Sequence, residues 1–257
     1  MGTSKNELTT KGYWNENWRG TRLPVRFYYG NYSYKLVTEL IRKHFSGDYK
    51  NFIEIGGCPG RWAHYFSSEV GLNECDSMDY DEDNLSLTKK NYEILGIKGK
   101  VFFGDITTID PALENKYDVV LSDGLLEHFV DSRDVFFNHS RLVRPGGLLV
   151  VAVPNIKKSW LYDYFARFDH DGYKGYRHVE KDELEEYAKA CGLEVLYCGY
   201  IGVFNIGLVY TKELGFFWEK IFAVVSLVSS FFLNLFSIKK ETIFFSPYIY
   251  LISKKYE

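Results

Sequence analysis

Residues 51–61 read Asn51-Phe-Ile-Glu-Ile-Gly-Gly-Cys-Pro-Gly-Arg61, and this segment decides the fold class. An apolar run comes first, a cluster of glycines ends it, and a helix-like segment from Trp62 to Ser68 follows directly. This order predicts a buried strand, a tight turn and the N-terminus of a helix. Because glycine lets a ligand approach the backbone and a helix N-terminus offers free N–H groups, the turn is a candidate binding site.

A second strand-like segment ends on an acid further along the chain, in Ser77-Met-Asp79-Tyr80-Asp81. An acid that follows a glycine-rich turn in this way suits the two hydroxyl groups of a ribose. For Asp79 a role as a turn or cap residue is the alternative. Asp81 is better explained as an acid at the start of the next helix. The turn and the acid together predict an α/β domain that binds a nucleoside.

Strand-like and helix-like segments alternate along most of the chain. We expect strands at 51–55, 75–78, 101–103, 117–121, 148–153, 193–200 and 248–253, helices at 34–45, 62–68, 83–95, 131–142 and 181–190, and a disordered tail from Met1 to Lys11. The alternation predicts a mostly parallel sheet with helices on both faces. Ligands of such sheets bind beyond the carboxyl ends of the strands, which is where Glu54, Gly56, Asp79, Asp105 and Asp123 fall.

Composition narrows the classes of function. The formal net charge is −3 and the basic residues form no stripe, so we expect no nucleic-acid partner. The four cysteines form no Cys-x-x-Cys pair and lie at no zinc-ligand spacing from a histidine, so we expect free thiols. No set of Asp, Glu and His matches a magnesium site of the catechol type, so we expect no metal. The polar N-terminus has no signal-peptide core, and a cytoplasmic location is expected.

The glycine spacing is unusual for a dinucleotide site. Counting from Gly56, the fingerprint Gly-x-Gly-x-x-Gly meets Cys58 and Arg61, and counting from Gly57 it meets Pro59 and Trp62. A phosphate-binding loop with Gly-Lys-Ser/Thr is also absent from the sequence. An oxidoreductase of the NAD type is therefore kept only as an alternative.

Five motifs in order resemble those of the class I S-adenosylmethionine-dependent methyltransferases. They are Glu54-Ile-Gly-Gly-Cys-Pro-Gly60, Asp79, Gly104-Asp105-Ile106, Tyr117-Asp-Val-Val-Leu-Ser-Asp-Gly-Leu-Leu-Glu-His128 and Leu142-Val-Arg-Pro-Gly-Gly-Leu148. The resemblance covers about Asn51 to Tyr200. It implies a Rossmann-like three-layer α/β/α sandwich, with a mostly parallel seven-stranded sheet whose last strand is antiparallel. It also implies that S-adenosylmethionine is the cofactor.

The resemblance also assigns cofactor-binding residues. Those expected are Glu54, Gly56, Gly57, Cys58, Gly60, Asp79, Tyr80, Asp105, Ile106, Ser122, Asp123 and Gly124. Glu54 is expected to orient the loop or to accept from the methionyl ammonium, and Asp79 to hold both ribose hydroxyls. Asp105 is expected to accept from the adenine amino group, or else to be a turn residue after Gly104. Cys58 departs from the family's glycine, and a positive φ there would strain the backbone.

The candidates for catalysis and acceptor binding are fewer. His128 is the candidate general base, and a role as a wall of the cofactor site is its alternative. Residues 155–179 are expected to form an acceptor lid, in which His170, Tyr176 and His178 contact the acceptor or only pack as a loop. Residues 1–45 are expected to form an aromatic and helical cap, with Trp14 and Trp18 over the cofactor or the edge of the core.

One segment near the C-terminus is strongly apolar. Residues Ile221 to Ile238 carry no charge, lie between Lys220 and Lys239-Lys240, and would be about 27 Å long as a helix. We expect residues 212–240 to be a helical insertion before the last strand. A single span would separate that strand from its sheet, so an interfacial helix, a partner-binding helix or a pocket wall fits better.

We therefore expect a single domain over residues 1–257 that transfers methyl groups to O or N of a small-molecule, glycan or lipid-linked acceptor. The alternatives are the NAD-type oxidoreductase and a non-catalytic member of the fold that binds a nucleoside or a partner. Residues 221–238 are expected to support peripheral membrane contact or a homodimer.

Overall fold

The computed structural model describes residues 6–28, 30–156, 158–159, 175–203, 216–236 and 241–257. Within them, seven strands form one sheet: β1 Asn51–Ile55, β2 Glu74–Asp79, β3 Val101–Phe103, β4 Tyr117–Asp123, β5 Val143–Pro154, β6 Leu193–Ile201 and β7 Tyr248–Lys255. Their order across the sheet is β3-β2-β1-β4-β5-β7-β6. β7 runs antiparallel to both of its neighbours, and the pairs among β1 to β5 are parallel.

Helices cover the sheet. They are α1 Lys11–Trp18, α2 Tyr32–His44, α3 Arg61–Tyr65, α4 Glu82–Leu95, α5 Arg133–Leu142, α6 Lys181–Ala190 and α7 Phe216–Phe236. Alternate residues of each strand enter two separate apolar cores, so that Phe52 belongs to one core and its neighbour Ile53 to the other. A strand buried on both faces reads as a continuous apolar run, which explains the composition of β1, β4 and β5. The expected Rossmann-like sandwich is confirmed.

The expectation of a disordered N-terminal tail is wrong for residues 6–11. Glu7 pairs with Phe129 in an antiparallel bridge, and the Leu8 N–H donates to the His128 carbonyl at 2.8 Å. Lys11 begins α1, whose N-cap Thr10 accepts from the Tyr13 N–H. The sequence here is polar, but strand pairing with a neighbouring loop orders it, and a reading of local composition misses such a pairing.

Smaller corrections concern the ends of helices. The helix expected at Asp131 begins at Arg133, because Asp131 Oδ1 accepts from the Arg133 N–H at 2.9 Å and holds the turn before the helix. The first crossover helix ends at Tyr65 and continues as a π-helical turn, Phe66–Val70. These shifts leave every expected strand in place.

The apolar insertion contains a helix, α7, which lies between β6 and β7 in the chain. It contacts α2, and Leu233 packs against the core on that face of the sheet. Of the residues that the structure describes, no helix is both long and apolar enough to cross a membrane. Residues 212–215 and 237–240 of the expected insertion lie outside the described ranges.

Candidate functional site

The glycine turn after β1 has the geometry that its sequence requires. Gly56 and Gly60 lie in the left-handed region, with φ of 65° and 91°. At Gly57 a Cβ would stand 2.1 Å from Cγ of Glu54, so only glycine fits there. In the described chain the one residue other than glycine with positive φ is Asn115, so the strain considered for Cys58 does not arise.

Glu54 stabilises this turn through hydrogen bonds to the helix that follows it. Its two carboxylate oxygens accept from the backbone N–H groups of Trp62 at 3.4 Å and Ala63 at 3.0 Å, at the start of α3. The side chain is buried, and desolvation raises its pKa to about 8 despite these hydrogen bonds. Glu54 therefore holds the loop, which is one of its two expected roles.

Asp79 stands at the end of β2, on the same edge of the sheet. Its Oδ1 accepts from the Asp81 N–H at 2.9 Å, and Asn84 Nδ2 lies 3.3 Å from Oδ2. Burial raises the pKa of this carboxyl to about 6. Asp81 is the N-cap of α4 and accepts from the N–H groups of Asp83 and Asn84. Asp79 thus makes the contact of a turn residue, and it also lines a cavity.

The cavity opens where β1, β2 and β4 end, and α1 covers it. Its lining comprises Glu7, Thr9, Trp14, Trp18, Glu54, Ile55, Gly56, Gly57, Cys58, Arg61, Trp62, Met78, Asp79, Tyr80, Asn84, Gly104, Asp105, Ile106, Asp123, Gly124, Leu125, His128 and Phe129. Of the residues expected to bind the cofactor, Gly60 and Ser122 are missing from this wall. Gly60 is the N-cap of α3 and faces the Tyr92 ring, and Ser122 is buried within β4.

Several lining residues were missed by the sequence reasoning. Glu7 and Thr9 were assigned to a tail, although their strand-like approach to Phe129 brings them to the cavity. Arg61 follows the glycine turn directly, and this adjacency was the available signal. Lys11, on the covering helix, places Nζ 5.1 Å from the centre of the Tyr80 ring.

Asp105 and Asp123 occupy opposite ends of the cavity. Asp105 Oδ1 accepts from the N–H and the hydroxyl of Thr107 at 2.8 and 2.7 Å. These are the contacts of a turn residue, which was the alternative role considered for Asp105. Asp123 Oδ2 accepts from Trp62 Nε1 at 2.8 Å and lies 3.5 Å from the Tyr250 hydroxyl. Burial raises the pKa of Asp123, while the Trp62 hydrogen bond and the charge of Arg61 oppose that rise.

Arg61 brings a half-buried positive charge to the Asp123 end. Its guanidinium donates to the Tyr34 hydroxyl and lies over the Tyr34 ring. Tyr34 and Asp123 both hold the pKa of Arg61 above its ordinary value. An anionic ligand group at this end of the cavity would therefore meet a positioned cation.

His128 closes the cavity beneath α1. Its Nδ1 lies 2.9 Å from the Gly175 carbonyl, and the ring centre is 4.7 Å from those of Trp14 and Tyr176. A carbonyl can only accept, so Nδ1 carries the proton and Nε2 keeps its lone pair. Burial lowers the pKa of His128 to about 4, so the ring is neutral at physiological pH.

Glu127 is the neighbour of His128 and is almost fully buried. Its Oε1 is 3.8 Å from His128 Nε2, which is beyond hydrogen-bond distance, and its Oε2 has no hydrogen-bond partner. Desolvation raises the pKa of this carboxyl to about 8. The charge of Arg177 lowers the pKa of Glu127, but desolvation outweighs it, so the carboxyl is expected to be protonated at neutral pH.

Of the expected acceptor residues, Tyr176 and His178 line different sites. Tyr176 touches His128, but His178 lines a separate small pocket between the end of β5 and the start of α6. His170 lies outside the described residues. Among the residues that are described, no cluster of His, Cys, Asp and Glu could hold a metal ion.

The chain was compared with models of protein families, with curated proteins and with solved structures. Residues 29–197 match the model of a family described as a methyltransferase domain. No curated protein matches the chain.

Solved structures show the same fold at low identity. The chain resembles a Galdieria sulphuraria protein assigned as a sarcosine dimethylglycine methyltransferase, with a TM-score of 0.58, 15% identity and coverage of 96% of this chain and 98% of that one. It resembles phosphoethanolamine N-methyltransferase 2 of Haemonchus contortus in complex with S-adenosyl-L-methionine, with a TM-score of 0.58, 17% identity and coverage of 87% and 53%. It also resembles the [4+2]-cyclase SpnF, with a TM-score of 0.58, 14% identity and coverage of 86% of this chain and 80% of that one.

Proposed function

The chain belongs to the methyltransferase family whose model its residues 29–197 match, and we propose that it transfers a methyl group from S-adenosylmethionine to O or N of a small acceptor. One observation carries the proposal. The buried Asp79 carboxylate faces the same cavity as the Gly56–Gly57 turn, at the carboxyl ends of neighbouring parallel strands. This pairing of a ribose acceptor with a close-approach turn fits a nucleoside cofactor.

The other residues of the cavity fit the remaining parts of that cofactor. Asp105 and Ile106 stand at the third strand, where the adenine is expected, and Asp79 accepts from the ribose. The Arg61 guanidinium is suited to the methionyl carboxylate because it is cationic, half-buried and close to the turn. When bound, S-adenosylmethionine supplies an electrophilic methyl group on a sulfonium sulfur.

His128 is proposed as the base that receives the acceptor's proton. The Gly175 carbonyl fixes the tautomer, so that Nε2 is the free basic atom. During methylation the acceptor oxygen or nitrogen would lose a proton, and His128 Nε2 would receive it. The aromatic rings of Trp14 and Tyr176 hold the imidazole and exclude water around it. Positioning supplies the rest of the acceleration.

Titration calorimetry tests the cofactor proposal. The protein is titrated with S-adenosylmethionine, S-adenosylhomocysteine and NAD, and the measurement is repeated on Asp79→Asn and on the exposed control Glu82→Gln. We expect S-adenosylmethionine to bind the wild type and the control, and to bind Asp79→Asn at least about tenfold more weakly. Binding of NAD alone would favour the oxidoreductase, and equal S-adenosylmethionine affinity of the wild type and both variants would overturn the role of Asp79.

A reaction other than methyl transfer is the second candidate. The observation behind it is the likeness to a cyclase with the same fold, which shows that this sandwich also supports other chemistry. Binding of S-adenosylmethionine without transfer to any amine, hydroxyl or carboxylate acceptor would favour this candidate. Release of S-adenosylhomocysteine that depends on an acceptor would favour the methyltransferase.

The acceptor class and the contacts of the chain are further parts of the proposal. Tyr176, beside His128, is proposed to line the acceptor site, and His170 and His178 remain predicted acceptor residues in the lid at 155–179. A glycan or lipid-linked acceptor stays open beside a soluble amine. Residues 221–238 are proposed as a surface for association with a membrane or with a second copy.

A further inference from the structure

The helix α7 has its polarity reversed relative to an ordinary surface helix. At about 100° per residue, its exposed apolar side chains fall on one arc that covers about half of the circumference. They are Phe217, Trp218, Val224, Val225, Leu227, Val228, Phe231, Phe232, Leu235 and Phe236. We call this set the outer arc. A solvated helix directs its polar side chains outward, so the outer arc is built to face an apolar medium.

The opposite side of α7 confirms the reversal. Ser226 and Ser230 are less exposed than the outer arc and lie on the same side as Leu233, which packs against the core. Small hydroxyl side chains therefore face the protein, and phenyl and branched aliphatic side chains face away from it. Apolar surface left in contact with water is unfavourable, so the exposed arrangement is costly in water.

A second exposed apolar patch lies at the active-site edge of the sheet. Ile243, Phe244 and Phe245 are exposed in the turn before β7. The Asn155 side chain, just beyond β5, donates to the carbonyls of Ile243 at 2.7 Å and Ser246 at 2.8 Å. Since β5 pairs with β4 at Asp123, this turn stands one strand away from the cavity wall.

Charge distinguishes between the apolar media that could cover this surface. From Ile221 to Ile238 the chain has no charged residue, whereas Lys220 is exposed at one end and Lys239-Lys240 follow the other end in the sequence. A protein interface needs about one hydrogen bond per 100–200 Å², and all members of the outer arc except Trp218 lack a hydrogen-bonding group. The hydrocarbon layer of a bilayer offers no hydrogen-bonding groups, so an outer arc that has almost none suits it. The lysines at both ends suit anionic headgroups.

We propose that α7 and the turn at residues 243–245 bind the surface of a lipid bilayer that contains anionic lipids. The helix lies along the bilayer, because β6 and β7 on either side of it pair in one sheet and must stay on one side of the membrane. The active-site edge then faces the lipid. This surface is independent of the proposed methyl transfer, and its test needs no turnover.

Vesicle co-sedimentation tests the proposal on the full chain. Vesicles of phosphatidylcholine, with and without phosphatidylglycerol, are mixed with the wild type, with the double variant Phe231→Glu and Leu235→Glu, and with Ile94→Glu. Ile94 is an exposed apolar residue of α4, away from α7, and serves as the matched control. Circular dichroism shows that each variant is folded, which we expect because all three side chains are already exposed.

We expect the wild type and the control to sediment with the anionic vesicles, and the double variant to bind at least about tenfold more weakly. Lys220→Glu should weaken binding to anionic vesicles more than binding to neutral ones. Trp218 emission should shift to the blue on binding, measured as the difference between the wild type and Trp218→Phe. Absence of vesicle binding by the wild type would overturn the proposal, as would a lipid-free dimer that Phe231→Glu dissociates.

Discussion

Replacing Glu127 by glutamine tests whether a neutral carboxyl lies beside His128. Burial raises the pKa of Glu127 from 4.5 to about 8, so the folded protein favours its protonated form. A raised folded pKa stabilises the fold below the unfolded pKa, and this contribution is lost as the pH rises towards the folded value. The contribution of Glu127 to the stability of the fold is therefore lost between about pH 4.5 and about pH 8.

The size of the effect follows from the shift. At about 1.4 kcal/mol per pKa unit, holding Glu127 in the fold costs about 1 kcal/mol at pH 5 and about 4 kcal/mol at pH 8. Glutamine has nearly the same shape and does not titrate. The free energy of unfolding of Glu127→Gln, relative to the wild type, should therefore increase by about 3 kcal/mol between these pH values.

Urea unfolding at about pH 5 and about pH 8 measures this difference, with a linear extrapolation for each protein. Any fixed cost of placing an amide at this position cancels, because it is present at both pH values. The other carboxyls with raised pKa values titrate in both proteins, so their contributions cancel to first order; they are Glu54, Asp79, Asp123 and Glu241. Glu93→Gln, on the exposed side of α4, is the control and should follow the wild type. Parallel pH dependences of Glu127→Gln and the wild type would refute the reasoning.

Three further predictions concern the cavity. Asp79, whose pKa is raised to about 6, accepts from a ribose only when ionised, so calorimetry should show S-adenosylmethionine affinity falling about tenfold per pH unit below that value and constant above it. His128→Asn keeps a donor for the Gly175 carbonyl but loses the base, so steady-state kinetics should show kcat reduced by about 10²–10⁴-fold with cofactor affinity retained. An unchanged kcat would show that His128 only lines the cofactor site. In Gly57→Ala the new Cβ would clash with Glu54, so thermal unfolding should show a free energy of unfolding lower by about 1–3 kcal/mol. Gly47 has open space around it, so Gly47→Ala should leave the free energy of unfolding unchanged.

The sheet could be predicted from the sequence because each of its strands carries its signal locally. The central strands β1, β4 and β5 are apolar runs bounded by glycines or turns, and the structure has a strand at each of these places, although β5 begins at Val143 and not at Leu148. The acids at the strand ends also converged as expected, since parallel strands bring their carboxyl ends to one edge. Local order and topology were sufficient for these features.

The cover of the cavity could not be predicted in the same way. Glu7 and Thr9 are ordered by a bridge to Phe129, more than a hundred residues away along the chain, and nothing in their own composition signals it. The missed role of Arg61 has a similar cause. Its position after the glycine turn is visible in the sequence, but its approach to Tyr34 and Asp123 depends on how α2 packs on the sheet.

The direction of an apolar face is the part of the fold that a sequence states least clearly. The stripe of serines in α7 is visible at helical spacing, and a pattern of this kind ordinarily marks the solvent side. The structure turns Ser226 and Ser230 towards the protein instead, because Leu233 on the same side is the residue that packs against the core. Sequence periodicity thus gives two opposed faces without saying which is outward. That assignment comes from the tertiary contact of Leu233, and it is what supports the proposed contact of the outer arc with a bilayer.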